Sequence, residues 1–443
     1  MGFVPLWANE AGRKPGTKLK RYFLISGRIL LAGLLLGMIW LNAKLYFPPS
    51  VEPDFGKVPR HALAHLAWIR EKLEAGAGEE MQQLFPEGYF FSHVLYGLAW
   101  VEIGLRSEGK VEDAVSEARW ALANIESEKG KAPFSAELPP GHGMFYSGWR
   151  NHLLAGIVLL DGEADELAEL RARCDELEEA LENSPAWPWL ASYHGQVWPC
   201  DAPPGIHAMR VFDQVEGNGR YADFIHGWLG AVSQNLDPEY GMVTHIADPR
   251  TGKPVGVPRG TSQVIVLRFL ADIDPGFAHG QYRRFQENFV GNVLGMPGIL
   301  EYPRGTKGHG DVDSGPLVAG VSVSASVVGM GVAQVYGDHG FSRATSQLGE
   351  VLGLPWGIGK RRYLGGVLPV GDAFVVHAMT ARPWIGGESG MAVQGTPVSK
   401  FWRWGIHLLS AFAGGVLFLL WRWVSKVILA RDQRSGIAPG NQC

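Results

Sequence analysis

A chain of 443 residues with 46% hydrophobic and 19% charged side chains can bury a large core, as one big domain or two smaller ones, and is not a disordered chain. The formal net charge is −4, and no Lys/Arg block away from the apolar segments is dense enough to follow a phosphate backbone; this argues against nucleic acid and for a small, weakly charged ligand. Cys174, Cys200 and Cys443 are too few and too scattered for a disulfide framework, and no CxxC or His/Cys spacing suggests zinc.

The first element is an apolar run over 22–44, long enough to cross a bilayer and interrupted only by Arg28, which is placed to snorkel to the near interface. Arg13, Lys14, Lys18, Lys20 and Arg21 precede it, a positive-inside signal that puts the basic stretch 1–21 in the cytoplasm. A cleaved secretory signal is the alternative to an anchor, and either one exports the chain downstream of it. A second apolar run over 404–421 is flanked by tryptophans and followed by Arg422, Lys426, Arg431 and Arg434, so the tail 422–443 is also expected in the cytoplasm. The region between, a domain over 55–385 and a linker over 386–403, is expected outside the cytoplasm: a protein of the inner (plasma) membrane with its main domain periplasmic. His407, inside the second run without an acidic companion, reads as an interface residue.

Between the runs, periodicity predicts helices near 59–76, 88–106, 110–128, 145–161, 164–183, 201–216, 218–235, 260–271, 275–294, 316–336, 340–353 and 371–381. Segments such as 110–128 and 164–183 are charged and amphipathic, whereas 88–106, 145–161, 260–271 and 316–336 are almost free of charge and rich in small residues. Helices apolar all round are buried and amphipathic ones lie on the surface. The alternation predicts an all-α fold, an (α/α)6 toroid or barrel with one N-terminal and one C-terminal transmembrane helix; an irregular two-domain helical protein is the alternative. A short β segment is expected at 241–246 (GMVTHI).

The unusual loops all precede inner helices: 85–88 (FPEG), 141–146 (GHGMFY), 193–201 (YHGQVWPCD), 257–260 (VPRG), 301–316 (EYPRGTKGHGDVDSGP) and 371–372. In a toroid they converge on one mouth. Cys200 stands at a helix start, where the dipole lowers a thiol pKa, and Asp201 beside it is either a cap or a functional carboxylate. His194, His142 and His152 are candidate bases, each with a structural alternative. Glu301, Asp311 and Asp313 offer carboxylates in one loop, with Asp313 alternatively a cap for a helix opening at Pro316 and Arg304 alternatively an ion-pair partner of Asp311 or Asp313. Tyr302 and Arg304 are candidates to orient a polar group; Glu87, Tyr146, Trp149 and Trp198 are further candidates to line a pocket.

Taken together and in order, FPEGYFFSHVLYGLA, GMFYSGWRNHLLAG, YHGQVWPCD, PRGTSQ and EYPRGTKGHGDVDSGP resemble the linalool dehydratase/isomerase-like domain of bacteria, over about residues 80–336. The resemblance implies an α/α six-hairpin barrel, no metal or organic cofactor, homo-oligomers, and loss of water from, or allylic isomerisation of, a tertiary allylic terpene alcohol. By the same resemblance Cys200 is an active-site cysteine. The sequence departs where a family histidine would align with Trp149, and a second cysteine would fall within 191–194. The expected activity is thus a membrane-anchored lyase or isomerase acting on a small apolar alcohol. A glycan hydrolase or lyase on the same toroid, or a non-catalytic binding module, is the alternative.

Overall fold

The computed structural model describes residues 15–386 and 393–435; for 15–21, 23–24 and 428–435 it describes the backbone alone. Parts of the expected basic N-terminus (1–14), of the linker (387–392) and of the tail (436–443, with Cys443) lie outside the described residues. The chain divides into two units, one made of the two ends up to Phe47 and from Arg403, the other of Pro48–Trp402.

The end unit consists of α1 (Pro15–Lys44) and α16 (Trp404–Ser435), packed against each other. Their apolar stretches, Ile25–Lys44 and Trp404–Val427, are long and apolar enough to cross a membrane. His407 links the two ends: its ring nitrogens meet Asn42 Oδ1 at 2.5 Å and the Tyr46 hydroxyl at 2.8 Å, while Asn42 Nδ2 donates to Ser410 Oγ at 2.8 Å. Arg28 lies 5.6 Å from the Trp421 ring, a cation–π contact.

The second unit is mostly helical: α2 (Ala62–Glu74), α3 (Ala77–Leu84), α4 (Gly88–Arg106), α5 (Val111–Ile125), the single turn α6 (Glu128–Lys131), α7 (Gly143–Asp161), α8 (Ala164–Glu182), α9 (Ala202–Glu216), α10 (Ala222–Gln234), α11 (Gly260–Ile273), α12 (Pro275–Phe289), α13 (Val323–Val335), α14 (His339–Leu352) and α15 (Pro369–Thr380). The apolar helices pack on one another in succession, α4 on α7, α7 on α9, α9 on α11, α11 on α13, α13 on α15, and α15 back on α4. The amphipathic ones pack outside them: α5 on α4 and α7, α8 on α7 and α9, α10 on α9, α12 on α11, α14 on α13, and α2 on α15. Small residues set the spacing. A Cβ on Gly205 of α9 would stand 2.5 Å from Leu177 Cδ2 and 3.4 Å from the Gly148 Cα of α7, so bulk on either glycine would push these helices apart.

Rings from four of these helices meet in the middle: Phe91 of α4 touches Trp149 of α7 and Phe374 of α15, and Trp149 touches Phe269 of α11. At the C-terminal end of α4, buried Arg106 donates to the carbonyls of Asp54, Lys57, Thr380 and Ala381, joining the two termini of the unit.

Two expectations fail locally. The helix expected over 316–336 begins only at Val323, because β3 (Leu317–Val318) and β4 (Val321–Ser322) precede it and Ser322, not Asp313, caps it, accepting from Ala325 N at 3.2 Å. With β1 (Val290–Val293) and β2 (Met296–Leu300) they form an antiparallel sheet of order β1-β2-β4-β3, which also ends α12 early. The expected β segment at 241–246 is not a strand; Ala247 alone forms bridges, with Val197 and Pro254. The sheet matters because it anchors the polar loop after β2: Glu301 N donates to Gly320 O at 2.9 Å, and Gly260 N at the start of α11 donates to Glu301 O at 2.8 Å.

Candidate active site

Residues 199–201 form a 3-10 turn that leads into α9, so both Cys200 and Asp201 are held ahead of the helix and buried. Asp201 does not cap it. One carboxylate oxygen accepts from Ser192 Oγ at 2.5 Å and the other from the Cys200 thiol at 3.7 Å. Burial pushes the Asp201 carboxyl up to about 7, against the hydrogen bonds from Ser192 and Cys200, and the nearby charges of Asp313 and Glu87 push the same way. Burial, with the Asp201 charge adding to it, also raises the Cys200 thiol well above its ordinary value, so the expected dipole-activated thiolate is corrected to a protonated thiol. The hydroxyl of Ser262, in the first turn of α11, opposes this rise.

Glu87, immediately before α4, accepts a hydrogen bond from the Tyr193 hydroxyl, and its charge is felt at Asp313 as well as at Asp201. Four loops, those of Glu87, Tyr193–Asp201, Arg259 and Asp313, thus meet around one group of ionisable side chains. Arg259 organises one side of it. Its Nε donates to Glu301 Oε1 at 2.7 Å and its Nη1 to Asp311 Oδ2 at 2.5 Å, and its guanidinium lies 5.5 Å from the Tyr302 ring. Thr261 Oγ1 donates to the same Glu301 oxygen at 2.7 Å, while Glu301 Oε2 is buried without a partner among the described residues.

The three carboxylates of this loop therefore differ. Burial raises Glu301, partly offset by Thr261 and Arg259. Asp311 is partly buried, but the hydrogen bonds from Arg259 and the Ser314 backbone outweigh that and hold it at about 2. Asp313 stays exposed at the edge, yet the surrounding protein and then the charge of Asp311 push it above the usual carboxylate range. Two carboxyl groups of one loop pushed in opposite directions are the arrangement acid–base chemistry uses.

The candidates do not all gather there. His194 is exposed and meets Ser135 Oγ at 3.0 Å. Tyr146 packs on Phe90, Phe134 and His142, and its charged neighbours are Glu126, Arg150 and Arg173. Trp149 belongs to the central aromatic group, with its indole N–H unpartnered among the described residues. Trp198 meets Tyr193 edge-on at 5.4 Å. Arg304 donates to the carbonyls of Glu287 and Val290 rather than to Asp311 or Asp313, and the Tyr302 hydroxyl donates to His309 O at 3.0 Å. His142 opens α7 with φ 76°, and His152 is buried against His207, 3.1 Å between their Nδ1 atoms, beside Asp272 and Trp384.

Sequence reasoning missed His245, Ser262, Ser192 and Arg259. His245 Nδ1 lies 2.7 Å from Ser262 Oγ, and Arg259 Nη1 lies 3.5 Å from its Nε2. Because Arg259 can only donate, Nε2 accepts and Nδ1–H donates to Ser262 Oγ. Burial and the Arg259 charge hold this histidine at about 4, so it is neutral. The signal was present in VPRGTSQ, whose arginine, threonine and serine all face the group; His245 was hidden by the reading of its segment as a strand. Among the described residues, no three His, Cys, Asp or Glu side chains are placed to hold a metal ion. No protein-family model and no curated protein matches this chain.

Proposed function

We propose that the protein is a membrane-anchored lyase or isomerase of the linalool dehydratase/isomerase-like type, built on an (α/α)6 barrel and acting on a small, mostly apolar alcohol such as a terpenoid. The barrel reading is supported by the closed succession of apolar helices from α4 round to α15 and by the amphipathic helices outside them. The observation that carries the function is the buried Cys200–Asp201 pair, its carboxyl near 7, in the same group of loop ends as Asp313, whose carboxyl is shifted upward by the protein around it.

In the proposed reaction Asp313 gives its proton to the substrate hydroxyl, the C–O bond breaks with its electron pair leaving on water, and an allylic cation forms. A proton is then lost from the adjacent carbon, its C–H pair becoming the new double bond. Asp201 receives that proton, directly or through the Cys200 thiol, which hands its own proton to Asp201 as it takes one. When water instead adds to the other allylic carbon of the cation and returns its extra proton to the Asp313 carboxylate, the product is the isomeric alcohol. Neutral His245 and Ser262 orient the thiol. The basic flanks of the two apolar helices support a cytoplasmic location for both ends and an extracytoplasmic one for Pro48–Trp402.

The divergence of Asp311, near 2, from Asp313, raised, favours glycan hydrolysis as the second reading, since glycosidases use two carboxyl groups held in different states. Incubating membranes containing the full chain with a panel of tertiary allylic alcohols and of surface glycans tests both. Alkene or rearranged alcohol is the expected product; cleaved glycan with no alcohol turnover rejects the lyase/isomerase reading.

A further inference from the structure

The connection between α14 and α15 takes no part in the acid–base group, yet it is the most apolar exposed segment of the second unit. Trp356 is 68% exposed, Ile358 fully exposed, Leu364 54% and Val367 75%, with Leu354 and Leu368 also exposed. A soluble surface rarely presents so many large apolar side chains within so short a segment without a partner.

The segment is also held in shape. Trp356 N donates to Arg362 O at 3.0 Å and Arg362 N to Trp356 O at 3.1 Å, closing a tight hairpin with Ile358 at its tip. Its base is fixed from beneath: Tyr363 stacks on His65 at 5.0 Å, its hydroxyl donates to Glu350 Oε1 at 2.9 Å, its N–H to Asp372 Oδ1 at 2.8 Å, and Arg361 N donates to Ala64 O at 2.9 Å. An apolar tip on a rigid base is presented to something outside the unit. Arg362 lies 5.1 Å from the Trp356 ring, so a cation stands beside the tip, whereas Lys360 is paired with Glu71.

We infer that this hairpin dips into the headgroup region of an anionic bilayer, with Trp356 and Ile358 in the acyl boundary and Arg362 at the phosphates, while Lys360 and Arg361 stay in their ion pairs with Glu71 and Glu350 at the base. Tryptophan beside arginine is the composition that favours this interface. The same unit is bounded at both ends by helices long and apolar enough to cross a membrane, which supplies the partner. Tips that protrude singly from a narrow hairpin suit a soft lipid surface better than the flat face of a second copy. The inference rests on the anchored reading above and extends it: an apolar alcohol would reach the protein from a bilayer the protein already touches.

The test uses the full chain with Cys443→Ser, in which Cys174 and Cys200 are buried, reconstituted in phosphatidylcholine–phosphatidylglycerol vesicles. An environment-sensitive fluorophore is attached at Ile358→Cys or, as a control on the exposed end of α9, at Glu216→Cys. The expected result is a blue-shifted emission at 358 that is lost with nitroxide-bearing lipid and protected from iodide, and the reverse at 216. A label at 358 quenched by iodide in protein that floats with the vesicles overturns the hairpin proposal alone. Protein that does not float overturns the anchored reading with it, and a blue shift that vanishes at one chain per vesicle assigns the hairpin to a second copy and overturns the lipid proposal.

Discussion

Cys200 shows how two effects on one thiol compete. A helix N-terminus stabilises a nearby anion by about 0.3–1 kcal/mol, whereas full burial shifts an ionisable group by up to several pKa units at about 1.4 kcal/mol each, so burial wins. The neighbouring Asp201, itself pushed to about 7, reinforces the neutral thiol. Asp201 binds its proton more tightly in the folded state than in the unfolded one; the stability this gives is present in full below about pH 4 and is lost as pH rises through 7. Asp201→Asn should therefore gain stability relative to the native chain as pH rises, by roughly 2–4 kcal/mol at pH 8 and much less at pH 5. Denaturant unfolding at the two pH values measures this, and an equal difference at both contradicts it. Arg259→Ala should cost roughly 3–5 kcal/mol, because it leaves the fully buried Glu301 charge unpaired, and Glu301→Gln in the same chain should recover part of that.

At the scale of elements, helix packing is limited by its smallest residues. Gly205→Val should destabilise by about 1–3 kcal/mol, since its side chain would enter the space of Leu177 and Met144, and thermal unfolding of the purified protein reads the loss. The helices themselves were legible in sequence because their periodicity is a local property: 88–106, 164–183 and 201–216 match α4, α8 and α9 within a residue at each end. The small sheet was not, because strands as short as Leu317–Val318 are set by partners distant in the chain rather than by their own pattern. That error moved the expected cap from Ser322 to Asp313. The site was half legible. Cys200, Asp201, Glu87 and the 301–316 loop were marked by their unusual composition, but the arginine that holds Glu301 and Asp311 comes from a different loop, and no spacing within 301–316 could have named Arg259 in place of Arg304. Tyr146, expected to wall a pocket, and His194, expected as a base in a neighbouring loop, pack instead on Phe90 and Phe134 and on Ser135.

For the whole molecule, the basic flanks of α1 and α16 set the expected topology. A periplasm-active reporter inserted at Gly162 and a cytoplasm-active reporter at the C-terminus should both give signal; activity of a cytoplasmic reporter at Gly162 would reverse the orientation. The central claim is that Pro48–Trp402 brings its loop ends together for acid–base chemistry on an uncharged alcohol, with the thiol and Asp313 in separate roles. The measurement that tests it most directly is turnover of a tertiary allylic alcohol by the native chain, Cys200→Ala and Asp313→Asn. The account predicts that each substitution lowers kcat/KM by at least about a hundredfold with folding retained. Alcohol turnover that is indifferent to Cys200→Ala, or glycan cleavage abolished by Asp313→Asn and untouched by Cys200→Ala, would contradict it.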